Sequence, residues 1–269
     1  MDQRGLVPAL FGVPRALIGM LHAGALPGAP LSSDPVDALC ELAVAEARGL
    51  AAAGFHGLLL ENMHDRPYVR GAAAAETVAA MAVIAREVRR AVDLPLGVQV
   101  LAAANADAIA VAHAAGASFV RVEGFVFAHV GDEGLHQSDA GALLRYRRAI
   151  GAGAVRVFAD VKKKHSAHAL TSDVSLVDTA RAAEFFLADG VIVTGTATGQ
   201  PADAREVAEV AAATALPTLV GSGVDAHNVA SYRAAEALIV GSALKAGGHW
   251  TGPLDEARCA AIARAFRAA

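Results

Sequence analysis

The sequence predicts a single-domain (β/α)8 TIM barrel of the α/β class, and three observations lead there. Short Val-, Ile- and Leu-rich runs alternate eight times with alanine-rich amphipathic stretches along 269 residues. They recur at intervals of about 25 to 35 residues, the spacing of βα units joined in parallel. The last two runs close on Gly221-Ser222-Gly223 and Gly241-Ser242. In a barrel those turns are neighbours on the face that carries active sites, where a phosphate commonly sits.

Taken in order, strands are expected over 16–22, 57–63, 96–101, 119–124, 155–162, 191–195, 218–221 and 237–241, most of them bounded by Gly or Pro. Residues 1–14, broken by Pro8, Gly12 and Pro14, form an N-terminal extension to the domain at 1–269. A helix over 36–53 follows Ser33-Asp34-Pro35, a cap with a proline at the first helical position, and stops at Gly54. Further helices are expected over 73–92, 107–115 (ending at Gly116), 140–150, 176–187, 202–213 and 255–266. The seventh, over 226–234, is short. Closure into a ring removes both sheet edges, which an open doubly wound sheet would leave, and no dinucleotide fingerprint follows the first strand.

Composition narrows the function classes. A net charge of -4 leaves no basic footprint for nucleic acid, and 5% aromatic content argues against base-stacking platforms. No apolar run is long enough for a membrane span, no signal-peptide pattern follows Met1, and Cys40 and Cys259 read as buried free thiols. These features predict a cytoplasmic protein, and apolar outer helices predict a homo-oligomer.

Strand residues two apart share a face, so alternation sorts the barrel's interior from its helix-facing wall. In the fifth run Val155, Val157, Ala159 and Val161 face the helices, leaving Arg156, Phe158, Asp160 and Lys162 inward. The fourth run places Arg121 and Glu123 inward, the third Gln99, the sixth Thr194; the second ends on Glu61-Asn62. Lone buried charges are costly, so Glu61, Glu123, Asp160 and Lys162 are expected to form a linked network at the catalytic mouth. A lysine beside a carboxylate serves as general acid or enolate stabiliser, or as a Schiff-base former once deprotonated. Lys163 and Lys164 read as a solvated loop. Gly221, Ser222, Gly223, Gly241 and Ser242 are the phosphate-binding candidates, with Lys245 as a nearby cation.

His22 heads a glycine- and proline-rich loop and is a candidate acid or base; Asn62 opens a polar loop, 62–68, that suits a lid or clamp. His22, Asn62, Gln99, Arg121 and Thr194 are assigned to substrate binding. The long 125–137 loop holds His129, Asp132, Glu133 and His136, but the spacing matches no strong metal motif, nor does His165-Ser-Ala-His168. No metal or other cofactor is assigned.

Many of these segments together resemble the BtpA family and its SgcQ-like proteins. They include Ile18-Gly-Met-Leu-His22 with Leu26-Pro-Gly28, the 57–62 strand, Glu76-Thr77, Leu96-Gly-Val-Gln-Val100 and Phe119-Val-Arg-Val-Glu123. Ile150-Gly-Ala-Gly153, Asp160-Val-Lys-Lys-Lys-His165, Val193-Thr-Gly-Thr196 and Gly221-Ser-Gly-Val224 fit as well. The resemblance implies a ribulose-phosphate-binding type of barrel. Its names come from photosystem I biogenesis and a sugar-operon context, and neither defines a reaction. The leading expectation is an enzyme acting on a small phosphorylated sugar or related metabolite by acid–base chemistry, whether isomerase, lyase or aldolase, or glycosidic cleavage. A non-catalytic assembly factor and a metal-dependent hydrolase are the alternatives.

Overall fold

Apolar runs of three to seven residues are too short for helices and pair side by side instead, here in parallel and in a closed ring. The structure is a computed structural model that describes residues 3–163, 165–195 and 199–269. The first barrel strands are β1 (Ala16–His22), β2 (Gly57–Glu61), β3 (Leu96–Gln99) and β4 (Phe119–Val122). After a hairpin of β5 (Ala128–Gly131) and β6 (Gly134–Gln137), the ring resumes with β7 (Arg156–Asp160). The two-residue β8 (Ser166–Ala167) precedes β9 (Gly190–Val193), β10 (Thr218–Val220) and β11 (Ala237–Val240). β11 closes on β1 with Ala16 opposite Ala237 and Ile18 opposite Ile239. The expected eightfold ring is the fold the chain adopts.

Outside the ring lie α2 (Val36–Ala53), α3 (Ala75–Ala91), α4 (Asn105–Ala115), α5 (Ala140–Ala149), α6 (Leu176–Phe185), α7 (Ala204–Ala213) and α8 (Glu256–Ala268). Gly54 and Gly116 end their helices at φ 92° and 73°, a left-handed turn that glycine adopts without a Cβ penalty. Pro35 is the N-cap of α2 rather than its first residue, and no side chain caps that end. The segment expected as a seventh helix forms only a 3-10 turn, Val229–Tyr232. Asp225 Oδ1 accepts from the N–H groups of His227 and Asn228 and caps the chain just before that turn, which runs for only four residues. The 125–137 loop is not open: β5 and β6 pair antiparallel across Asp132-Glu133, and β8 adds a third strand. Gly134 at φ 107° permits the tight reversal.

Alternation divides the apolar residues in two. Val120, Val122, Val155, Val157, Ala159, Val191 and Val193 join the core between ring and helices. Ile18, Met20, Leu59, Phe119, Phe158, Ile192, Leu219 and Ile239 fill the ring itself. The N-terminal α1 (Leu6–Phe11) stoppers the end remote from the site, with Val7 and Phe11 entering the inner cluster and Phe11 packing edge-on against Phe119. Cys40 on α2 and Cys259 on α8 are buried free thiols. Among the described residues no helix is long and apolar enough to cross a membrane.

Gly97 on β3 makes room for a large neighbour. A Cβ there would lie 2.1 Å from Phe119 Cε2. Gly97→Ala is therefore expected to destabilise the barrel by about 1–3 kcal/mol through overpacking, and Phe119→Leu in the same chain to restore part of that loss. Urea unfolding of the single and double variants checks this.

Candidate active site

The turns after β10 and β11 are held side by side because those strands are bonded neighbours. Gly221, Ser222, Gly223, Gly241 and Ser242 line one cavity of about 190 Å³ at the strands' C-terminal ends. Leu244 N–H donates to Gly241 O and Lys245 N–H to Ser242 O, so the N–H groups of Ser242 and Ala243 open the turn without a partner inside it. Gly223 sits at φ 63°, and a Cβ there would lie 2.2 Å from Pro201 N. The Ser222 hydroxyl accepts from Gly195 N–H at 2.6 Å and donates to Gln200 O at 3.1 Å. It ties the loop after β9 to this turn rather than pointing at the cavity as a free donor.

The expected cation, Lys245, is turned away into a buried ion pair with Glu46 of α2. Arg258, one turn into α8, lines the cavity instead, its Nε donating to Ala243 O at 2.8 Å. Sequence reasoning passed over Arg258 because it lies inside a helix; the N-cap at Asp255, which accepts from Arg258 N–H, is the signal that locates it at the helix's start. Asp225 also borders the cavity.

His22, Glu61 and Arg121 line the same cavity, His22 beside Gly241 and Arg121 beside Gly221: a Cβ on those glycines would lie 3.6 Å from His22 Nε2 and 3.3 Å from Arg121 Nη2. His22 Nε2 is 3.8 Å from Glu61 Oε2, and His22 Nδ1 is 3.4 Å from the Trp250 carbonyl oxygen. Trp250, the chain's single tryptophan, packs against the rings of His22 and His64 and under the guanidinium of Arg66. Arg121 donates from Nε and Nη2 to the two oxygens of Asp160, both at 2.9 Å, with both side chains at most 3% exposed. Burial works against the guanidinium's charge, but Asp160 overrides it and holds the Arg121 pKa above its ordinary value.

Glu123 forms a second centre. Its carboxylate accepts from Ala103 N–H at 3.1 Å and from Gln99 Nε2 at 3.4 Å, and lies 3.4 Å from Lys163 Nζ. Lys163 also reaches Glu133 at 3.2 Å. Burial pushes the Glu123 pKa up; burial opposes the Lys163 charge, but Glu123 and Glu133 hold that pKa up as well. Gln99 Oε1 is buried without a hydrogen-bond partner among the described residues.

The lysine expected to turn inward was Lys162, yet the buried one is Lys163. β7 ends at Asp160, and beyond it the two-residue alternation no longer applies. Lys162 Nζ donates to Val174 O at 3.4 Å and borders a second, smaller cavity with Asp160, Lys163 and His129. Thr194 and Asn62 tie loops: Thr194 Oγ1 donates to Lys162 O, Asn62 Oδ1 accepts from Leu101 N–H, and Asn62 Nδ2 donates to Asp65. Lys164 and Thr196 lie outside the described residues. His129 stacks on His136 at 5.0 Å and packs at 5.6 Å against His168. Among the described residues no three His, Cys, Asp or Glu side chains are arranged to hold a metal.

Two outcomes follow. Arg121→Met strands the buried Asp160 carboxylate and is expected to cost about 3–5 kcal/mol, whereas Arg121→Met with Asp160→Leu recovers most of it, read from urea unfolding. Burial, with His136, Lys163 and His168 nearby, lowers the His129 pKa to about 4. The folded value lies below the unfolded one of about 6.5, so His129 contributes stability above pH ~6.5 that is lost as the pH falls toward 4. The melting temperature should therefore drop more steeply over that interval in the native chain than in His129→Gln.

The family model described as the BtpA family matches residues 13–268. An uncharacterised mitochondrial protein of Caenorhabditis elegans is 44% identical over 264 residues, covering 96% of this chain and 95% of that one. The photosystem I biogenesis protein BtpA of Synechocystis is 34% identical over 259 residues, covering 95% and 89%. Among solved structures, thiamine phosphate pyrophosphorylase from Pyrococcus furiosus superposes with a TM-score of 0.58 at 12% identity, covering 98% of each chain. Orotidine 5'-phosphate decarboxylase from Pyrococcus horikoshii gives 0.57 at 15%, covering 93% and 99%. Likeness at these identities is likeness of fold.

Proposed function

The chain belongs to the BtpA family, and on that premise we propose that it is an enzyme acting on a small phosphorylated sugar or related metabolite by acid–base chemistry. One observation carries the reading: a single cavity is lined by two glycine–serine turns and Arg258 together with His22, Glu61 and Arg121. Glycine lets main-chain N–H groups approach an anion closely, and the seventh and eighth turns of a barrel are where phosphate is commonly held. The phosphate accepts from the main chain of Gly221–Gly223 and Gly241–Ser242 and pairs with Arg258. Ser222 contributes its backbone while its hydroxyl keeps the neighbouring loop in place.

Beside the turns, His22 and Glu61 hold and move the proton. With Nδ1–H donating to Trp250 O, Nε2 faces Glu61 at 3.8 Å, too far for a direct hydrogen bond, so a substrate atom between them takes and returns the proton. Arg121 stabilises negative charge developing on a substrate oxygen, and Asp160 acts through it as a positioning residue. Glu123, Gln99 and Lys163 form the polar flank, and Lys162 belongs to the smaller cavity beside it. Such a constellation serves isomerisation, aldol or lyase cleavage and glycosidic cleavage alike.

The two solved barrels named above act, by their titles, on phosphate esters, which favours this reading. The Synechocystis name favours a biogenesis factor instead. The nematode relative is more similar and comes from an organism without photosynthesis, so a role confined to photosystem I does not account for what the chains share.

Inorganic phosphate and a panel of sugar phosphates should raise the melting temperature of the native chain. Arg258→Ala should weaken phosphate binding about tenfold or more, the loss of one charge-assisted hydrogen bond, and Ser242→Asp should abolish it. His22→Asn and Glu61→Gln should bind phosphate normally yet lower turnover of a stabilising sugar phosphate by about 10²–10⁴. No response to any phosphate ester sinks the proposal.

A further inference from the structure

The His22 imidazole borders two cavities, the phosphate-side one and a second of about 400 Å³ on its other flank. The outer cavity runs between the loop after β1, the exposed face of α2 and the strap at Thr251–Pro253. Its apolar lining includes Leu31 and Leu42, which are 59% and 51% exposed, and Pro253. Uncovered leucines that share one concavity gain by being covered with an apolar surface. Its polar groups are the short side chains Ser33, Asp34 and Thr251.

Lys245 and Glu46 also line it, but they are buried and paired with each other. The two charges cancel, so this cavity has no anion-selecting cation of the kind Arg258 supplies next door. His64 is held on this side by its packing against Trp250. Apolar faces flanked by a few hydrogen-bonding groups suit a flat ring with polar edges better than a second phosphate or a fully hydroxylated sugar.

We propose that this outer cavity is a second subsite that takes a planar nitrogen heterocycle carried by the phosphorylated moiety, so that the substrate spans His22. The assignment rests on the phosphate reading of the inner cavity and narrows the substrate class: a phosphorylated sugar bearing a ring substituent. It also gives His22 its place, beside the linkage between the two halves, where a proton can be delivered to or taken from the linking atom.

Calorimetric titration of the full chain with inorganic phosphate, ribose 5-phosphate, AMP and UMP tests it. AMP or UMP is expected to bind about tenfold tighter than ribose 5-phosphate, because only the nucleotides carry a planar heterocycle to fill the outer cavity. Thr251→Trp, a substitution at an exposed position that fills that cavity, should erase the gain while leaving inorganic phosphate and ribose 5-phosphate within about twofold. Leu42→Asp, which removes an apolar wall from the exposed face of α2, should do the same. Equal affinity for ribose 5-phosphate and both nucleotides overturns the outer subsite, as does a gain that survives both variants. Failure of inorganic phosphate and ribose 5-phosphate to bind at all overturns the inner cradle, and this extension with it.

Discussion

Closing eight parallel strands on themselves leaves each strand side chain two destinations, the helix layer or the ring's interior. The interior is dry and narrow. Ile18, Leu59, Phe119, Phe158, Ile192 and Ile239 fill it, with glycine at position 97 yielding space to Phe119. Polar side chains can enter that column only at its open end, and only when paired, because a lone buried charge costs several kcal/mol. The mouth obeys that rule through Arg121 with Asp160 and Lys163 with Glu123 and Glu133. These pairs lock β4 to β7 and the loop after β7 to the hairpin above it. Arg121, which lines the cavity, is positioned by that lattice.

Seen this way, the separation between groups becomes informative. Arg121 meets Asp160 with two bonds of 2.9 Å, which fix its guanidinium at the cavity wall. His22 and Glu61 stand 3.8 Å apart at the cavity wall, beyond hydrogen-bond reach of one another. A tight buried pair holds a charge in place. A looser pair beside a cavity is where a substrate atom can share the proton, which is why the proposed chemistry shifts from the Asp160–Lys162 step toward His22 and Glu61.

Much of this was legible in the residues. Strand positions, the two-faced alternation of the third to sixth runs and the glycine stops of α2 and α4 follow from local chemistry alone. The failures share a cause: each depends on where a strand ends or on what lies far away in the chain. Alternation assigns Lys162 inward, but it applies only while the chain is a strand, and β7 stops two residues earlier. Lys245 reads as a phosphate cation until Glu46, 199 residues away, claims it. Trp250 and Arg258 reach the mouth from segments with no local motif, and the 125–137 hairpin hid its signal in Gly131 and Gly134.

The glycines of the seventh turn show how the two halves of the site depend on each other. Gly223 and Gly195 both abut the main chain at Gln200 and Pro201 so closely that a Cβ on either would overlap it, at 2.2 and 2.3 Å. Ser222 adds two hydrogen bonds to the same junction. The loop after β9 is therefore fastened to the very turn proposed to offer N–H groups to an anion. Loosening that fastening would disturb the proposed seat without removing any group assigned to touch the anion. The Ser222 hydroxyl works as a rivet, and the proposed grip belongs to the backbone around it.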